Sequence, residues 1–135
     1  MKYVILSFLF LFLGISSTSA QIIKLKANEV AVKTKDNNSG RWSNWSDPQT
    51  IDVLILVDGN QNRVKIFSKV EQAYDIIKTY NTVTEHNGKT THKYECIDKA
   101  GTRCNLSIVK HPNGISTLEI EFSDANILYN IYKMD

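Results

Sequence analysis

Two cysteines, Cys96 and Cys104, are the side chains of this chain best placed to do covalent chemistry. Seven residues separate them, which is not the Cys-x-x-Cys spacing of a redox dithiol. With residues 98–102 as a loop, Ile97 faces Arg103 and Cys96 faces Cys104 across two antiparallel strands. Directly opposed side chains of a non-hydrogen-bonded pair come closest, within reach of disulfide geometry. In an exported chain the simplest state of such a pair is one bridge, worth about 2.5 kcal/mol on the chain-entropy account of a short loop. Two buried free thiols are the competing state. The expectation is a structural disulfide, Cys96–Cys104.

The remaining reactive residues are scattered. His86 and His111 sit beside turn signals, and His92 shares its parity with Tyr94 and Cys96. That spacing does not converge on a zinc ion, which needs several ligands and a supporting shell. Asp52, Asp75 and Asp98 could in principle supply the paired carboxylates of a glycosidase. Each reads more simply as a strand-end or turn residue. The chain has no Gly-x-Ser-x-Gly, no His-Glu-x-x-His and no phosphate-cradling glycine loop. No catalytic residue, metal ligand or cofactor is therefore assigned. Asn37, Asn44 and Asn105 open formal glycosylation sequons, read as coincidence in a bacterial-looking chain.

Trp42-Ser43-Asn44-Trp45-Ser46 is the remaining constellation. As a string it resembles the WSxWS signature of class I cytokine receptors and the opening of thrombospondin type 1 repeats. Neither fold carries over. The receptor motif lies late in a fibronectin-type sandwich, and thrombospondin repeats need several disulfides, whereas this chain has two cysteines in all. Two roles remain for Trp42 and Trp45: indoles capping a core, which is favoured, or a surface aromatic pair for a sugar or peptide.

Residues 1–20 read as a secretory signal peptide: Lys2, an apolar Val4–Leu13 run, then small residues up to Ala20. The apolar run is about ten residues against the roughly 20 of a membrane span. Cleavage leaves one domain of 115 residues carrying 15 basic and 14 acidic side chains, a charge of +1. Near-neutrality argues against a nucleic-acid partner. Lys24, Lys26, Lys33 and Lys35 are read as the wet face of a strand. No membrane span is expected in the mature chain, whose place is the periplasm or the medium.

The elements that must position these residues are strands. Val53–Val57 and Arg63–Phe67 flank the turn-forming Asp58–Asn62, a hairpin signal. The first run is apolar on both faces, so both faces need cover. In Gln21–Lys35, Ile23, Leu25 and Ala27 share one parity and Val30 and Val32 the other, which places a β-bulge at Asn28-Glu29. Residues 69–84 are ambiguous: Val70, Ala73, Tyr74 and Ile77 have helical spacing, while the composition suits a bent strand from about Ala73 to Thr84. The strand is preferred, with a short helix near 69–78 as the alternative. Asn87-Gly88, Asp98–Gly101, Pro112–Gly114 and Ser123-Asp124 then punctuate four further runs. The expected fold is all-β: a meander of about eight antiparallel strands closed as an up-and-down barrel or a strongly curled sheet. Of Tyr74, Tyr80, Tyr94, Tyr129 and Tyr132, several should ring the barrel ends around a filled core.

Through the leader, the Val53–Phe67 hairpin, Tyr74-Asp-Ile-Ile77, the Cys96–Cys104 segment and the final Tyr132, the chain resembles small exported β-rich proteins common among bacteria. That likeness implies a fold and no activity. The functional expectation is an exported non-enzymatic binding or interaction module, its partner an apolar small ligand, an envelope component or a protein surface. An inhibitor of a secreted hydrolase acting through a hairpin loop is second, and a small hydrolase third. A ligand carrier would contain an apolar cavity, whereas an inhibitor would pair a filled core with a protruding apolar loop.

Overall fold

The computed structural model describes residues 21–134. The leader expected over residues 1–20 lies outside the described residues. Nine strands follow in order: β1 (Ile22–Thr34), β2 (Gln49–Asp58), β3 (Arg63–Phe67), β4 (Glu71–Thr79), β5 (Val83–Thr84), β6 (Thr90–Asp98), β7 (Arg103–Lys110), β8 (Ser116–Glu121) and β9 (Ala125–Lys133). All pairings are antiparallel, in the order β4-β3-β2-β1-β9-β8-β7-β6-β5, and an additional β4–β6 pairing closes eight of the strands into a barrel. Short β5 extends one wall beyond the closure. This is the meander that regularly spaced turn signals imply.

Two irregularities let the ring close. Ala27 pairs with Ile131 and Glu29 with Asn130, so Asn28 is an extra residue in β1. It returns Val30 to the interior after Leu25 and Ala27, as the parity change requires. In β4, Ile76 pairs with Cys96 and Lys78 with Glu95, leaving Ile77 bulged. Past that bulge the chain stays on β6 through Tyr80 N–H to Lys93 O (3.0 Å) and the Val83–Thr91 and Thr84–Thr90 pairs. Residues 71–84 are thus one bent, interrupted strand, and the helical alternative for 69–78 is not adopted. Helical spacing there coincided with a period-2 run that already had a partner on each side.

The interior is packed with side chains. Ile55, Ile66, Leu106, Leu118, Ile120, Val64 and Cys96 are fully buried, with Leu25, Ala27, Val53, Tyr74, Tyr129 and Ile131 around them. A barrel of eight strands is just wide enough for side chains to fill. Apolar inside and charged outside is the inverse of a lipid-embedded barrel. At the end carrying the β3–β4 turn, Tyr74 Oη donates to Gln72 Oε1. Gln72 Nε2 donates to Ser68 Oγ (2.9 Å) and Tyr129 Oη (3.3 Å), so the phenols inside the wall are satisfied. Tyr80 and Tyr132 are exposed instead.

Cys96 and Cys104 face each other across β6–β7 at the expected register. The expected bridge between them is nevertheless absent, and both are free, buried thiols. The ladder supplies a reason. Asp98 N–H donates to Thr102 O (2.9 Å) and His111 N–H to Ile115 O (2.8 Å), and bonded and non-bonded pairs alternate from each. Both counts put Cys96–Cys104 on a hydrogen-bonded pair, not the closer type assumed from the loop length. Opposed Cβ atoms there stand about 5.5 Å apart, beyond the roughly 3.5–4.5 Å of a bridge.

Candidate functional site

Beyond the Val30–Gln49 pair, β2 no longer accompanies β1. The Trp-Ser tandem takes its place. Ser43 N–H donates to Thr34 O (2.8 Å) while Ser43 Oγ accepts Thr34 N–H (3.0 Å). Ser46 repeats the clip on Val32, N–H to O at 2.8 Å and N–H to Oγ at 2.9 Å. Each serine thus offers a donor and an acceptor to one residue of β1, and three residues of the arch match two of the strand. The step of three also puts both indoles on one side. Lys33, pointing out of the barrel between the clipped residues, holds its Nζ 4.8 Å from the Trp45 ring centroid and 5.6 Å from that of Trp42, a doubled cation–π contact. Neither tryptophan caps the core: Trp42 is 41% and Trp45 38% exposed.

Beside this arch lies an open groove of about 250 Å³ on the outer wall, lined by Glu29, Val30, Ala31, Pro48, Ile115, Thr117, Leu128 and Asn130. Its floor comes from the cross-strand pair Ala31–Leu128 and its polar wall from Thr117–Asn130. Next across the sheet, Glu119 pairs with Leu128. Burial pushes the Glu119 carboxyl above its usual range and neighbouring Glu121 adds to this, while the Lys33 charge pulls it back down. Asn126, buried although it faces outward, donates Nδ2–H to Glu119 Oε2 (3.4 Å). Arch and groove together offer two aromatic surfaces, the Lys33 cation, the Glu29 carboxylate, the Thr117 hydroxyl, the Asn130 amide and an apolar floor, with Glu119 behind them in the sheet. Such a set can hold a ligand with both apolar faces and hydrogen-bonding edges.

The other sequence candidates are dispersed. Asp52 pairs with Lys26, and Asp75 accepts from Arg63 Nε at 2.6 Å. Asp98 Oδ1 accepts the N–H groups of Ala100 (2.9 Å) and Thr102 (2.8 Å). Each is thereby committed to a strand pair or a turn. His92 Nδ1 meets Thr82 Oγ1 at 3.1 Å, and His111 Nε2 meets Thr117 Oγ1 at 3.2 Å. Among the described residues no three His, Cys, Asp or Glu side chains gather as a metal site would need. Burial raises the Cys96 thiol to about 12 and the Cys104 thiol to about 11, keeping both protonated and unreactive near neutrality.

Glu119, Asn126 and the groove were missed by sequence reasoning, because outward strand positions read as solvated until their cover is known. The tandem Trp-Ser step of three was the one available signal for the arch. No protein-family model, no characterised protein and no solved structure matches this chain, so the site rests on its own geometry.

Proposed function

We propose that the protein is an exported, non-enzymatic binding module that meets its partner on the outside of the barrel, at the Trp42–Trp45 arch and the adjoining groove. One observation carries this reading: the interior is filled by large aliphatic side chains, while the indoles stand exposed beside an open groove. A carrier of apolar ligands would need the reverse arrangement. Export rests on the residues 1–20 pattern.

Trp42 and Trp45 are the only tryptophans of the chain, so intrinsic emission reports directly on the arch. Titration with saccharides and peptides prepared from the native cell envelope should shift that emission saturably, and Trp45→Ala should abolish the shift. Native mass spectrometry that found an apolar molecule retained inside the barrel would sink the reading.

The inhibitor reading keeps one specific support. The β3–β4 turn carries Val70, 77% exposed, next to Phe67, 38% exposed. A protruding apolar tip on a rigid hairpin is what a protease or glycosidase cleft could receive. Inhibition of a secreted hydrolase that disappears in Val70→Asp would favour that tip over the arch.

A further inference from the structure

The Val53–Val57 run is apolar on both faces, yet only one face turns inward. Val53 and Ile55 are buried in the barrel; Leu54 and Leu56 point out. Among the described residues β2 packs only against its neighbours β1 and β3, and no further strand covers them. Across the wall, Leu54 lies between Lys26 and Phe67, and Leu56 between Lys24 and Lys65. Tyr132 continues the first row beyond Lys26. Ile22, Phe67 and Tyr132 are 53%, 38% and 50% exposed. The acids nearby are engaged: Asp52 pairs with Lys26, Asp75 with Arg63 and Glu71 with Lys99, while Asp58, opposite Ile22, accepts the turn N–H groups of Asn60 and Gln61. Lys24 and Lys65 form no ion pair within the described residues.

We propose that this β1–β2–β3 wall is a peripheral docking surface for an anionic lipid bilayer. The charge pattern selects the occupant. Ammonium groups on long alkyl stems beside leucines can lay their methylenes on apolar surface while reaching phosphates. Phe67 and Tyr132 supply the aromatic rim that interfacial proteins place at headgroup level. A protein partner is the poorer fit, because lysine is depleted in protein–protein interfaces where arginine is enriched. A second copy fits worse still. A two-fold contact would lay this face on itself and set lysine against lysine. The filled apolar interior keeps the barrel on the bilayer surface instead of within it.

The experiment is vesicle co-flotation of the mature chain, residues 21–135, with phosphatidylcholine alone and with phosphatidylcholine containing phosphatidylglycerol. Binding is expected only to the anionic vesicles, weakening as salt is raised. A lysine near an anionic surface contributes about fivefold in partitioning. Lys24→Gln/Lys65→Gln should therefore bind about 25-fold more weakly, with an unchanged circular dichroism spectrum. Leu54→Ser/Leu56→Ser should bind at least about tenfold more weakly, with the remaining binding still falling as salt is raised and with an unchanged circular dichroism spectrum, whereas Trp45→Ala should bind as the parent does. That last variant separates this surface from the arch. Equal binding to neutral and anionic vesicles, no binding to either, or insensitivity to the lysine pair would overturn the proposal. So would equal retention on immobilised polyglutamate, which would point to an acidic protein.

Discussion

Replacing Ser43 and Ser46 together by alanine should undock the arch and leave the barrel standing. The double substitution removes two acceptors, at 3.0 and 2.9 Å, and strands the N–H groups of Thr34 and Val32. Each bond is worth about 1 kcal/mol net, so the arch loses about 2 kcal/mol of docking free energy. What remains is three backbone bonds of 2.8 Å, from Ser43 N–H to Thr34 O, Ser46 N–H to Val32 O and Asp36 N–H to Arg41 O, and the Lys33 contacts, the latter about 0.5–1 kcal/mol each at an exposed site. Fixing a backbone residue costs roughly 1–2 kcal/mol, so the margin for ordering the arch is small and a loss of this size releases it. Because both tryptophans lie in the arch, their emission follows docking while far-ultraviolet circular dichroism follows the strands. In urea the parent should show one transition by both probes. The variant should show red-shifted emission before denaturant is added, with the dichroism midpoint lowered by less than about 0.5 kcal/mol equivalent, as for a surface change. Coincident transitions at the parental midpoint would refute the clip. A large loss common to both probes would show instead that the arch is integral to the barrel.

Leu106→Ala, at a fully buried position, should cost about 2–5 kcal/mol, read from the dichroism-detected urea midpoint. Native alkylation at pH 8 should label neither cysteine, and alkylation in urea without reductant should label both; no label in urea would mean that a bridge had formed after all. Because Cys96 and Cys104 ionise near 9 when unfolded but near 12 and 11 when folded, the unfolded chain gives up its protons first. Their stabilising contribution is full below pH 9 and is lost progressively as pH rises toward 12. Tyr74 and Tyr129, also raised by burial, add in the same direction. Alkaline melts of Cys96→Val should decline less steeply than the parent. Gly114 holds φ at 88° in the β7–β8 turn, so Gly114→Ala should cost about 1–2 kcal/mol from the left-handed backbone alone, by the same urea assay.

Much of the fold was written in the sequence itself. Alternation assigned Leu118 and Ile120 of β8, with Phe122 just past its end, to one face, and Ile127, Tyr129 and Ile131 to one face of β9. The parity break at Asn28 and the register of Cys96 on Cys104 were equally legible. These are local matters: a two-residue period and a turn of known length leave a strand little freedom. Closure of the ring, the pair type at the two cysteines and the solvent on one side of Leu54 were not local. Whether a ladder position is hydrogen-bonded depends on how both hairpins flanking β7 close, and the state of the thiols follows from that. The arch was decided in the same way. Trp42 and Trp45 look like core residues by type, but β1 is longer than β2, and its unpaired edge drew Ser43 and Ser46 into its ladder. The indoles followed the serines outward, because an open backbone edge next to a ready donor–acceptor pair outweighed burial of two rings in a barrel already full.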